Sequence, residues 1–259
     1  MVGIGGRISR MTGEITSLAT PESLRGEWRG YASFLKRPAL PAQSGATFRA
    51  GIAAVSRMLV LDLAAMSALL AVAAIVMLVG FDLPETALAG LEIDLTLALM
   101  VVVAAPLMEE LAFRGWLSGK PGHVLALAIM CAAGIAAVLL SAGGSGLGAP
   151  PKASLGVAAA VGLSLVTIFV LRNRPAMGWF RAIFPALFWF STAAFASIHL
   201  LNFEQAGAAL LPLVLPQFIL GTMLGYLRVT YGLWSCIALH ALHNGLIIGV
   251  VALASAGGG

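Results

Sequence analysis

The stretch MEELAFRGW, residues 108–116, sets Glu109, Glu110 and Arg114 directly after the apolar run LTLALMVVVAAPL. Further along, FASIHLLNF carries His199, and ALHALHNGL carries His240, His243 and Asn244, again in apolar surroundings. A carboxylate at a bilayer centre costs on the order of 2.5–3.5 kcal/mol on insertion scales, so such groups face a cavity or a partner and are functional candidates by default. A carboxylate and an imidazole delivered into one cavity can hold a water and take its proton, which is general-base chemistry.

Helical spacing divides the work. Glu110 and Arg114 are four residues apart and share a face, whereas Glu109 is rotated by about 100° from Glu110. Arg114 is therefore expected to neutralise Glu110 as a structural pair, which leaves Glu109 to accept a proton. The alternative places all three at the water interface beyond a shorter helix. His240 has Asn244 one turn later on its own face, which lines up two hydrogen-bond donors. His243, three residues after His240, could exchange roles with it. His123 falls at a loop edge and reads as ordinary.

The elements that must position these groups are membrane helices. Of 259 residues, 60% are hydrophobic and 10% charged, well away from the balance of soluble domains. A spanning helix needs about 20 mostly apolar residues, and stretches near 58–80, 95–117, 122–142, 153–171, 182–202, 207–228 and 233–254 qualify. The fold class is thus all-α, a polytopic bundle of about seven spanning helices. Basic residues collect on the cytoplasmic side. Lys120, Arg172, Arg174, Arg181 and Arg228 fall in alternate turns, opposite Asp82, Glu85, Glu92, Asp94 and Glu204, and Lys152 is the one basic residue on the outer side. This puts the N-terminus in the cytoplasm.

Residues 1–57 carry eight basic and three acidic residues and read as a basic cytoplasmic tail. It lacks the compact apolar stretch of a secretory signal peptide. Thr20 as N-cap and Pro21 at the first helical position open a helix with Leu24, Trp28, Tyr31 and Leu35 on one face. Arg25, Arg29, Lys36 and Arg37 lie off it. Such a helix lies on an anionic membrane surface, or is solvated or packs against a partner. The glycine-rich loop at 143–148 lacks the Lys-Ser/Thr ending of a phosphate cradle. Cys131 and Cys236 sit in apolar runs and read as small hydrophobes. The net charge of +4 is concentrated in the tail and does not indicate nucleic acid.

EELAFR, FASIH and HALHN resemble the EExxxR, FxxxH and HxxxN motifs of the CPBP superfamily, the CAAX prenyl endopeptidase and bacteriocin-processing (Abi-like) intramembrane glutamic proteases. Gly221 and Gly225 in FILGTMLGYL resemble that family's glycine-bearing segment. The resemblance covers about 150 residues and leaves the first 94 uncovered. It implies that Glu109 and His199 activate a water, that His240 and Asn244 stabilise the oxyanion, and that neither cofactor nor metal is needed. One such oxyanion donor accounts for about 2.7–4 kcal/mol in other hydrolases. The long interval between Glu109 and His199 implies an inserted helix pair at 122–171 beside a protease-like core of about 95–250, within a membrane domain of 58–254.

At 1.5 Å per residue, Glu109 and His240 lie roughly 10–15 Å from the inner helix ends and His199 nearer 25 Å. The site closes only if the fifth helix begins in the cytosol, tilts, or bends near Pro185. The expected function is an intramembrane endopeptidase of a bacterial or archaeal inner membrane, acting on a membrane protein or lipidated peptide within the bilayer. Two alternatives use the same residues. One is a zinc hydrolase with two His and one Glu as ligands, although no H-E-x-x-H helix is present; the other is a non-catalytic scaffold, immunity or transport protein.

Overall fold

A computed structural model describes residues 21, 23–41, 46–82, 84, 93–143, 149–203 and 208–257, with side chains described outside 141–153, 208–209 and 254–257. Its helices are α1 (Leu24–Lys36), α2 (Phe48–Leu78), α3 (Leu95–Leu99), α4 (Ala105–Arg114), α5 (Pro121–Gly143), α6 (Ala149–Val170), α7 (Gly178–Ala182), α8 (Phe184–Ile198), α9 (Leu215–Tyr231) and α10 (Leu233–Gly257). A π-helical turn, Met100–Ala104, joins α3 to α4, and single-turn 3-10 helices follow α4 and α8.

Among the described residues, six segments are long and apolar enough to cross a membrane: Phe48–Leu78, Leu95–Ser118, Pro121–Leu140, Phe184–Asn202, Leu210–Tyr231 and Leu233–Leu253. The seventh expected span, 153–171, falls on α6, whose described apolar part, Ser154–Val170, is shorter. Leu70, Leu78, Leu95, Phe169 and Leu253 are all largely exposed. Only a hydrocarbon solvent makes so much outward apolar surface tolerable.

The centre of the bundle is α9, which packs against α1, α2, α8 and α10. Glycines permit the close approach. A Cβ on Gly225 would lie 2.5 Å from Phe188 Cε2, and one on Gly221 would lie 3.1 Å from both Arg114 Nη2 and Phe195 Cδ1. By contrast, α5 and α6 pack chiefly on each other and meet the remainder mainly through Gly115–Ser118.

The N-terminal region departs from expectation at two points. Thr20 lies outside the described residues, and α1 is capped by Ser23, whose Oγ accepts from Gly26 N at 3.1 Å. Pro21 precedes the helix instead of opening it. The helix α2 starts at Phe48, ahead of the expected 58, because Thr47 caps it. Helix α1 packs against α2 and α9. Tyr31 and Glu27 are buried against the bundle; Tyr226 and Tyr231 donate their hydroxyls to Glu27 Oε1 at 2.8 and 2.9 Å, and Arg57 lies 3.6 Å from Oε2.

Candidate active site

The site is built around α4. Arg114 Nη1 donates to Glu110 Oε1 at 2.9 Å, and both side chains are buried. The four-residue spacing that predicted this pair therefore holds. A lone buried guanidinium is strongly destabilising; this one also donates to Gly221 O at 3.3 Å and lies over the Phe195 ring, 3.9 Å from its centroid. The interface alternative for these charges does not apply to Glu110 and Arg114, which water does not reach.

His240 arrives from α10. Its Nδ1 bonds Glu110 Oε1 at 3.0 Å, and its Nε2 stands 3.9 Å from Glu109 Oε2. A carboxylate that already accepts from arginine can only accept again, so Nδ1 carries the proton of that bond. His243 goes elsewhere: its Nδ1 bonds Asp62 Oδ2 of α2 at 2.7 Å. Geometry thus brings His240, and not His243, to the glutamates. Glu109 differs from its neighbour as the helical rotation implies, being partly exposed, with Oε2 shielded and without a hydrogen-bond partner among the described residues.

His199 closes α8. Of the three ways in which the site could close, the structure has the break near Pro185: α7 ends at Ala182, Ile183 leaves helical geometry (φ −100°, ψ 9°), and α8 restarts with Pro185 in its first turn. His199 Nδ1 bonds Phe195 O at 2.8 Å. A carbonyl only accepts, so in the neutral ring Nε2 is left as an acceptor. No hydrogen bond joins His199 to Glu109 among the described residues. The two halves meet instead at Phe195, whose ring centroid lies 4.9 Å from that of His199 and 5.6 Å from that of His240.

Asn244 sits one turn beyond His240, and its Nδ2 donates to Val101 O at 2.8 Å. The reason lies in the π turn. There Ala105 N bonds Met100 O, a five-residue step, and the next bond of that pattern would run from residue 106 to Val101 O. Residue 106 is proline, which has no N–H. The orphaned carbonyl is satisfied by Asn244, as the accounting of buried backbone groups demands.

Sequence reasoning missed Asp62. It is fully buried in α2, with Oδ1 lacking a partner among the described residues. An aspartate inside an apolar span was a readable signal; that His243 would answer it was not. Both cysteines are free, as expected. Among the described residues, no group of three or more His, Cys, Asp or Glu is placed to hold a metal ion.

Fold and site together define a multi-pass integral membrane protein with a buried carboxylate–imidazole centre. Residues 91–246, well over half of the chain, match the family described as Type II CAAX prenyl endopeptidase Rce1-like, and the chain belongs to that family. The membership supports an endopeptidase and agrees with the resemblance carried by the three motifs. No curated protein and no solved structure matches the chain. The family match leaves out α1 and α2, and with them Glu27 and Asp62.

Proposed function

We propose that this protein is an intramembrane endopeptidase that hydrolyses a peptide bond of a membrane-associated or lipidated protein, with Glu109 and His199 activating the water and His240 and Asn244 holding the oxyanion. The observation that carries the reading is the 3.9 Å gap between His240 Nε2 and the unpartnered Glu109 Oε2. It is too long for a direct hydrogen bond and suits one small molecule bonded to both groups.

In this scheme Glu109 takes one proton from the water as its oxygen bonds to the peptide carbonyl carbon, and His199 Nε2 accepts a hydrogen bond from the other. The carbonyl electron pair moves onto oxygen. His240 Nε2–H donates to that oxyanion, which requires protons on both ring nitrogens because Nδ1 already donates to Glu110. The amide of Asn244 has a second N–H besides the one given to Val101, and it supplies the further donor. When the intermediate collapses the C–N bond breaks, and the proton held by Glu109 passes to the departing amine.

The setting we assign is the inner membrane of a bacterial or archaeal cell, with the basic edge of the bundle in the cytoplasm. Residues 1–57 form the cytoplasmic segment and the start of α2, and α5 with α6 is a pair inserted into a core of about 95–250. The mutual packing of α5 and α6 supports that division.

The test is turnover of a lipidated fluorogenic peptide by the full chain in proteoliposomes. Wild type is expected to cleave and to keep cleaving in chelator, and Glu109→Gln is expected to lose about 10²–10⁴-fold, the range for a general base. Equal turnover by Glu109→Gln removes the proposed base. Activity lost to chelator and restored by zinc replaces the mechanism with a metal-dependent one.

A further inference from the structure

Gln217 stands inside the spanning segment Leu210–Tyr231 and is the third residue of α9. Its Oε1 is buried and has no hydrogen-bond partner among the described residues. A glutamine at this helical position can reach back to the N–H of the capping residue, here Val214, and Gln217 Oε1 does not. Asp62 Oδ1 and Glu110 Oε2 are likewise without partners, but in each of those carboxylates the other oxygen is bonded. The amide of Gln217 has one oxygen, and burying it without a donor costs stability. A polar group kept at such a cost inside a membrane span marks a functional position.

The side of α9 that carries Gln217 is settled by its neighbours. Residues 217, 221 and 225 follow one another at four-residue intervals and share that side. At Gly225 it meets Phe188, and at Gly221 it meets Thr192, Phe195 and Arg114. Rising numbers on α9 thus meet falling numbers on α8, and the next turn, at Gln217, comes to the His199 end of α8. Glu109 Oε2, His199 Nε2 and Gln217 Oε1 are then three acceptors for one site. In the scheme above, the two protons of the water go to Glu109 and His199. A third donor is required, and a peptide chain lying beside the reacting carbonyl carries an N–H at every residue but proline. We propose that Gln217 binds the substrate, its Oε1 accepting a backbone N–H next to the bond that is cut, which fixes the carbonyl that meets the water. The proposal rests on the endopeptidase reading.

The test uses the full chain in proteoliposomes, with the lipidated fluorogenic peptide and analogues in which one backbone N–H at a time, away from the scissile bond, is replaced by an ester oxygen. Gln217→Met keeps the length of the side chain and removes the amide. It is expected to lower kcat/KM about tenfold, the worth of one hydrogen bond. Its unfolding midpoint is expected to equal or exceed that of wild type, because Oε1 holds no bond inside the protein. In wild type one ester analogue is expected to fall about tenfold, and the same analogue should lose nothing further in Gln217→Met. Should Gln217→Met fail to fold, Gln217→Asn, which withdraws the oxygen by one methylene, carries the same comparison. Equal kcat/KM for the variant and wild type, or an ester penalty of the same size in both, overturns the proposal and leaves the endopeptidase reading in place. A wild type that cleaves none of the peptides overturns that reading and the proposal with it.

Discussion

Asn244 gives Val101 the hydrogen bond that Pro106 cannot: its Nδ2 lies 2.8 Å from Val101 O. A side chain proposed to serve an oxyanion is therefore also part of the scaffold that turns α4 toward the site. The two roles can be separated.

Asn244→Ala is expected to cost about 1–3 kcal/mol of stability, the penalty for an unsatisfied buried acceptor, and to lower turnover about 10²–10³-fold through loss of an oxyanion donor. In a Pro106→Ala background residue 106 regains an N–H, so the stability cost of Asn244→Ala should shrink by at least about 0.5 kcal/mol. The turnover loss should persist there. Thermal unfolding and peptide cleavage on the four proteins check both; a rate that recovers with stability leaves Asn244 a structural role alone.

Breaking the Glu110–Arg114 pair from either side should destabilise the protein by about 3–5 kcal/mol, since each deletion strands a buried charge. Arg114→Leu and Glu110→Ala are compared with wild type by unfolding in detergent. Arg114→Leu is expected to be the more damaging, because Arg114 also bonds Gly221 O and covers the Phe195 ring.

Asp62→Ala should cost about 1–3 kcal/mol by leaving His243 buried without its partner. Turnover at saturating substrate should change little, since Asp62 and His243 bond each other and not the glutamates. A loss of turnover as large as that expected for Glu109→Gln, in a protein that remains folded, would place this second acid–imidazole pair in the reaction.

Gly225→Ala should cost about 1–3 kcal/mol, the usual penalty for overpacking, because the added methyl would sit 2.5 Å from Phe188 Cε2. Phe188→Leu in the same chain should recover part of the loss. An unfolding midpoint for Gly225→Ala equal to that of wild type removes the close-approach argument for this glycine.

Much of the site was legible because its logic is local. The Glu110–Arg114 pair follows from a four-residue spacing on one helix, and the separate fate of Glu109 follows from a rotation of about 100°. The preference for His240 over His243 rests on its four-residue relation to Asn244, and the structure turns His240 to Glu110; that His243 would meet a second buried acid, Asp62, was not legible, because Asp62 belongs to no recognisable motif. The amphipathic stripe of α1 pointed to Leu24, Trp28, Tyr31 and Leu35, yet the most buried residue of that helix is Glu27. Its partners Tyr226 and Tyr231 lie about 200 residues away, where periodicity within α1 carries no information. The depth of His199 could not be settled by counting residues, because Ile183 breaks the helix that the count assumed.

Phe195 has no proton to gain or lose, yet its ring touches Arg114, His199 and His240. It works as a spacer block, making an edge-type contact with each imidazole so that van der Waals contact with one hydrocarbon ring sets where both lie. A spacing fixed by van der Waals contact does not change with charge. In the proposed mechanism His199 and His240 can make and break their hydrogen bonds through the whole cycle while the gauge between them stays the same.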